Sequence, residues 1–129
     1  MHDPAMKAIN PHPFRLAVLI GAALVARPAM AADAAHGKAL YHACEACHSD
    51  KPDAIGPSLK GVVGRKAGSL DDFRYSGPMR RANLVWDEAH LRAYLTDPQG
   101  TVKGNRMPFG GLVNPADVDD IVAYLKTLP

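Results

Sequence analysis

Cys44-Glu45-Ala46-Cys47-His48 decides how the rest of the chain is read. These are the only two cysteines among 129 residues. A lone pair in an exported chain would ordinarily close a disulfide. The histidine directly after the second cysteine argues for another use, because C-x-x-C-H is the spacing of covalent haem c attachment. On a helical turn, cysteines at i and i+3 face one side, so each thiol can form a thioether at the edge of one haem. His48 then offers its imidazole to the iron from the same side. A thioredoxin-type dithiol would need a βαβ setting, which the chain lacks. A zinc site would need further clustered ligands, and His36, His42 and His90 do not cluster with the motif.

One motif implies one haem, and the residue in the sixth iron position decides the chemistry. Met79, Met107, His36, His42 and His90 are the candidates. Met107 lies in Val102-Lys103-Gly104-Asn105-Arg106-Met107-Pro108-Phe109-Gly110-Gly111, a turn-rich stretch without helical periodicity. A methionine on a helix is usually core filler; one in a Gly/Pro loop is not. Met79, in Gly77-Pro78-Met79, is the local competitor, and the residues alone favour Met107 without eliminating it.

Working outward, three helices are predicted. The first spans about Asp33 to Cys47, with Asp33 as its N-cap. The second spans about Asp87 to Leu95, capped by Asp87 and stopped at Asp97-Pro98. In the third, Asn114 caps, Pro115 takes the first helical position, and Val118, Ile121, Val122 and Leu125 form one apolar face. A short helical turn is expected at Ser69 to Phe73. Pro52 to Gly64, Ser76 to Met79 and Pro98 to Gly111 read as loops. No stretch sustains a period-two strand pattern, so the fold class is all-α. Loops this long in a small domain call for an internal scaffold, and a haem would provide it.

The N-terminal segment reads as a cleaved signal peptide over residues 1–31. Lys7 and Arg15 precede an eleven-residue apolar run, Leu16 to Ala26, and Ala29-Met30-Ala31 supplies a small-x-small cleavage pattern. The first five residues contribute nothing to this pattern, so translation could begin at Met6. As a helix that run would rise only about 16 Å, too short to span a bilayer. The chain would therefore be exported to the periplasm without stable membrane insertion. The leader carries three basic residues, Lys7, Arg15 and Arg27, and one acidic residue, Asp3, out of 15 basic and 13 acidic in all. The remaining domain, 32–129, is formally neutral, which gives no support to nucleic-acid binding.

From Gly37 to Pro129 the chain resembles the class I c-type cytochromes, the mitochondrial cytochrome c and bacterial cytochrome c2 group. The resemblance rests on Gly37-Lys38-Ala39-Leu40-Tyr41 before the CxxCH, Gly56-Pro57-Ser58-Leu59, and Gly61-Val62-Val63-Gly64-Arg65-Lys66. It continues through Tyr75, Trp86, Leu91, Tyr94-Leu95, Pro98, Gly104 before Met107, and Ile121-Val122-Ala123-Tyr124-Leu125-Lys126. It implies a small cytochrome c fold, with three main helices and long loops around one covalent haem c. It also implies iron ligation by His48 and Met107, and thioethers at Cys44 and Cys47. Pro57 would accept from His48 Nδ1. Arg65, Tyr75 and Trp86 would serve the haem propionates, Tyr94 would sit near the Met107 sulfur, and Phe109 would pack at the haem edge. Asn105 stands where a threonine is common and would still donate a hydrogen bond at the cofactor. Met79 falls where many relatives carry an asparagine. Pro108 after Met107 departs from the mitochondrial form, as does the short segment from His48 to Pro57.

The expected function is one-electron transfer by a monomeric, non-enzymatic carrier, serving redox proteins such as a membrane oxidase, a cytochrome bc1-type complex or a periplasmic dehydrogenase in a respiratory chain. Lys38, Lys60, Lys66, Lys103 and Arg106 would form a basic docking face, with Arg80 and Arg81 unplaced. Two alternatives remain: a dedicated electron-accepting subunit of one periplasmic dehydrogenase, and a haem sensor or peroxidase with a labile sixth ligand.

Overall fold

The computed structural model describes residues 30–129, together with Gly21 and Ala23. The expected leader, 1–31, therefore lies almost wholly outside the described residues. Five helical segments follow: α1 (Ala34–Glu45), α2 (Gly77–Arg81), α3 (Glu88–Thr96), α4 (Pro98–Thr101) and α5 (Pro115–Leu125). Among the described residues the only β-pairing is an isolated bridge between Lys66 and Val85.

The three longer helices start where their caps predict. Asp33 accepts from the backbone N–H groups of Ala35 and His36. Asp87 accepts from His90, and Asn114 from Ala116 with Pro115 behind it. Each cap satisfies donors that a helix leaves orphaned at its start. α1 ends two residues earlier than its expected end. Cys47 and His48 turn back instead, both donating to the Cys44 carbonyl, at 3.1 and 2.9 Å.

Two differences from expectation concern short elements. No helix forms at Ser69 to Phe73; Asp71 and Asp72 make a turn. The helical turn falls at α2 instead, in a stretch expected to be loop. The Ser76 side chain accepts from Met79 N, with Pro78 beside the start. Asp97-Pro98 likewise does more than stop α3, since Asp97 caps α4 and Pro98 opens it. Proline forbids continuation of one helix yet suits the first turn of the next.

α1 crosses α5, and α3 packs on α4 and α5. The crossing needs Gly37: a Cβ there would collide with the backbone carbonyl of Asp120. One turn on, the Tyr41 and Tyr124 rings meet at 5.0 Å. α5 buries Val118, Ile121, Val122 and Leu125, each contributing on the order of 1.5–3 kcal/mol of apolar burial. Trp86, Leu91, Tyr94 and Val102 complete the core beside Tyr41 and Val62. The Lys66–Val85 bridge is flanked by bonds from Ala67 N to Leu84 O (2.9 Å) and from Trp86 N to Arg65 O (2.8 Å). It brings Arg65 and Trp86 side by side from distant parts of the loop.

Candidate haem site

A cavity of about 420 Å³ opens inside this frame, lined almost entirely by apolar atoms. Cys44, Cys47 and His48 reach it from the end of α1, and Met107, Pro108 and Phe109 from the loop after α4. Pro57, Arg65, Tyr75, Trp86, Tyr94 and Asn105 also line it. Cys44, Cys47, His48, Pro57, Arg65, Tyr75, Trp86, Tyr94, Asn105 and Met107, which the resemblance assigns to the haem, thus border one space. Met79 borders it as well, from α2.

The motif is built by the turn after α1. Both thiols are free and half-buried. Burial, helped by Cys47 and Glu45, pushes the Cys44 thiol up, so it stays protonated until it reacts. His48 Nδ1 lies 2.8 Å from the Pro57 carbonyl. A carbonyl can only accept, so Nδ1 carries the hydrogen and Nε2 keeps its lone pair for a metal. Burial pulls the imidazole pKa down; the Pro57 bond opposes this, and the Arg65 charge adds to it. The neutral form that ligation requires is the favoured one.

Gly56 makes this geometry possible. A Cβ there would stand 2.6 Å from His48 Cε1 and 2.7 Å from Nδ1. The backbone therefore lies directly on the imidazole, and Gly56 N donates to the Cys47 carbonyl at 2.8 Å. The resemblance singles out Pro57 as the acceptor; the packing reason for Gly56 is visible only in three dimensions.

The other thioether is held from two directions. The Tyr94 hydroxyl donates to Met107 Sδ at 3.6 Å, and Met107 N donates to Asn105 Oδ1 at 2.9 Å. Tyr94 is buried, and its ring packs edge-on to Trp86 at 4.9 Å. Burial pushes its phenol up to about 12, so the hydroxyl remains a donor. The three histidines weighed as sixth ligands turn elsewhere. His36 pairs with Asp120, His42 with Glu45 and His90 with Asp87, and none borders the cavity.

Two polar residues of the lining are held by backbone carbonyls. The Arg65 guanidinium donates to the Lys60 and Ser58 carbonyls, at 3.0 and 2.8 Å, so it is pinned to its own loop at the cavity wall. Asn105, expected to donate a hydrogen bond, gives both amide hydrogens to backbone carbonyls, those of Pro98 (3.0 Å) and Val102 (2.9 Å). Gln99, which the sequence did not single out, joins this network, and nothing in its local pattern marks it.

The donor set fits a covalent haem: two free thiols and a neutral imidazole at one end of an apolar cavity, and a thioether from another segment at its wall. Comparison with known proteins agrees. The family model described as cytochrome c matches residues 34–129. Cytochrome c2 iso-2 of Magnetospirillum fulvum is 53% identical over 87 residues, covering 66% of this chain and 91% of that one. Cytochrome c2 of Rhodomicrobium vannielii is 43% identical over 114 residues, covering 84% and 91%. The solved structure of cytochrome cH from Methylobacterium extorquens superposes with a TM-score of 0.70 at 46% identity, covering 74% of this chain and 98% of that one. The chain belongs to the cytochrome c family, as an electron-transfer protein with one covalently bound haem c.

Proposed function

We propose that residues 32–129, released from the leader 1–31, form a periplasmic one-electron carrier whose iron is held by His48 and Met107 and whose haem is bonded to Cys44 and Cys47. The observation that carries this reading is the convergence of those four side chains on one apolar cavity with Tyr94 donating to the Met107 sulfur. When bound, haem c supplies a ferric/ferrous couple. The chain's own residues set the terms. Pro57 holds His48 in the tautomer that ligates. The apolar lining disfavours the extra positive charge of the oxidised form. Arg65, Tyr75 and Trp86 would serve the haem propionates, and Cys44 and Cys47 would hold the haem by their thioether bonds. With His48 and Met107 both holding the iron, no substrate would reach the metal, which matches a carrier.

Its partners are redox proteins. A membrane oxidase, a cytochrome bc1-type complex and a periplasmic dehydrogenase are the classes proposed. Lys38, Lys66, Lys103 and Arg106 are exposed and form the proposed basic docking set. Lys60 is drawn off by Asp50 at 2.6 Å, so it contributes less to attraction than its sequence position implies.

Voltammetry of the purified holoprotein under argon and under carbon monoxide tests this reading. A reversible one-electron wave, unchanged by the gas, supports a closed carrier. A wave that moves to higher potential under carbon monoxide would overturn it in favour of a site with an open or labile sixth position.

A further inference from the structure

We infer that Asn105 is a positioning residue for Met107: its buried carboxamide closes the loop 98–107 upon itself and holds the ligand peptide in place. This rests on the assignment of Met107 as iron ligand proposed above.

Among the described residues Asn105 is the one buried polar residue, 7% exposed. Its hydrogen-bonding inventory is fully matched to its surroundings. The two amide hydrogens go to Pro98 O and Val102 O, and Oδ1 accepts from Met107 N at 2.9 Å. Two carbonyls and one N–H allow only this orientation of the carboxamide. A second amide braces the first: Gln99 Nε2 donates to the Asn105 carbonyl at 2.9 Å, and Gln99 Oε1 accepts from Gly104 N at 3.0 Å.

The arrangement has a consequence for the iron. Residues 105–112 are not in a helix or strand, so no backbone ladder fixes the peptide of Met107. The carboxamide ties that peptide to the two ends of α4, through Pro98 O and Val102 O. A ligand held by one weak bond to iron needs its backbone held, because a free loop gains entropy when the bond opens. Burial strengthens the effect: once the carboxamide is removed, Met107 N loses its partner in a half-buried site, while Pro98 O and Val102 O keep only the backbone donors Val102 N and Asn105 N. Asn105 therefore acts on the closed state of the iron through Met107, and not by touching the haem.

The test compares holoprotein variants: wild type, Asn105→Leu, Asn105→Asp, Met107→Ala and Val118→Ala. Leucine keeps the approximate volume and removes all three bonds. Aspartate keeps the acceptor for Met107 N and removes both donors. Val118, buried on α5, is a core site outside this loop and controls for lost stability. The readouts are the long-wavelength sulfur-to-ferric band and the rate of carbon monoxide binding to the reduced protein. Asn105→Leu is expected to weaken the band and raise the binding rate at least tenfold over wild type, with Asn105→Asp intermediate and Val118→Ala unchanged. Asn105→Leu with a wild-type band and wild-type rate overturns the inference, as does Val118→Ala matching Asn105→Leu in the gas-binding rate. A wild-type protein without the band refutes the Met107 assignment instead, which separates the two failures.

Discussion

The Tyr94 hydroxyl points at the Met107 sulfur and donates to it at 3.6 Å, although thirteen residues and a helix end separate them. Tyr94 sits on α3 and Met107 beyond α4, so the contact depends on the Asp97-Pro98 corner that joins those helices. A donor on the sulfur draws electron density from the lone pair that iron would share. The oxidised form, which needs that density more, is the one disfavoured.

Tyr94→Phe removes the donor and leaves the ring on Trp86. A hydrogen bond of this kind has a net worth of about 1 kcal/mol, which for one electron is about 40 mV. The midpoint potential is expected to fall by roughly that amount, measured by spectroelectrochemistry. A rise would contradict the stated role of the bond.

The same burial predicts alkaline behaviour. It pushes both Tyr41 and Tyr94 from 10.0 to about 12. Between those values the unfolded chain has lost phenolic protons that the folded chain keeps. Stability is therefore full below pH 10 and declines as pH rises toward 12. Denaturant titrations of the holoprotein at pH 9.5 and 11.5 should show the decline, with a shallower one in Tyr41→Phe.

The α1–α5 crossing carries an acid-side pair. His36 Nδ1 lies 2.8 Å from Asp120 Oδ2, and that bond raises the histidine above 6.5. The Asp33 backbone N–H, and then His36, lower Asp120 below 3.8. The histidine's contribution is present below pH 6.5 and is lost as pH climbs through its raised value. The aspartate's is present above pH 3.8 and is lost as pH falls through its lowered value. His36→Ala should therefore lower Tm at pH 5.5 and leave it nearly unchanged at pH 8.5, as read by thermal melts.

Gly37→Ala sets two effects against each other. Alanine favours a helix interior by about 1 kcal/mol over glycine, yet its Cβ would meet the Asp120 carbonyl across the crossing. Overpacking of this kind costs about 1–3 kcal/mol, and the opposing surface is backbone, which cannot rotate away. The collision should win, lowering Tm by roughly 5 °C or more. A stabilised variant would show that the helices can slide apart without loss.

The three longer helices and the haem-attachment turn were legible because their signals are local. Asp33, Asp87 and Asn114 are caps whose side chains act within three residues, and C-x-x-C-H needs only one turn. α2 was missed although Ser76-Gly77-Pro78 has cap chemistry, since five residues show no periodicity. The use of Asn105 was out of reach for a different reason. Its partners, Pro98, Val102 and Met107, are set by how the loop folds back, and an asparagine can donate or accept toward any of them. Gly56 is similar: its need for a missing Cβ comes from the His48 ring lying over it.

The most direct test of the account is the optical spectrum of the oxidised holoprotein, scanned for the weak long-wavelength band of methionine sulfur on ferric haem. The band should be present in wild type, absent in Met107→Ala and retained in Met79→Ala, whose side chain borders the same cavity. A wild-type spectrum without the band, or a band that survives loss of Met107 and vanishes with Met79, would contradict the closed His48/Met107 carrier.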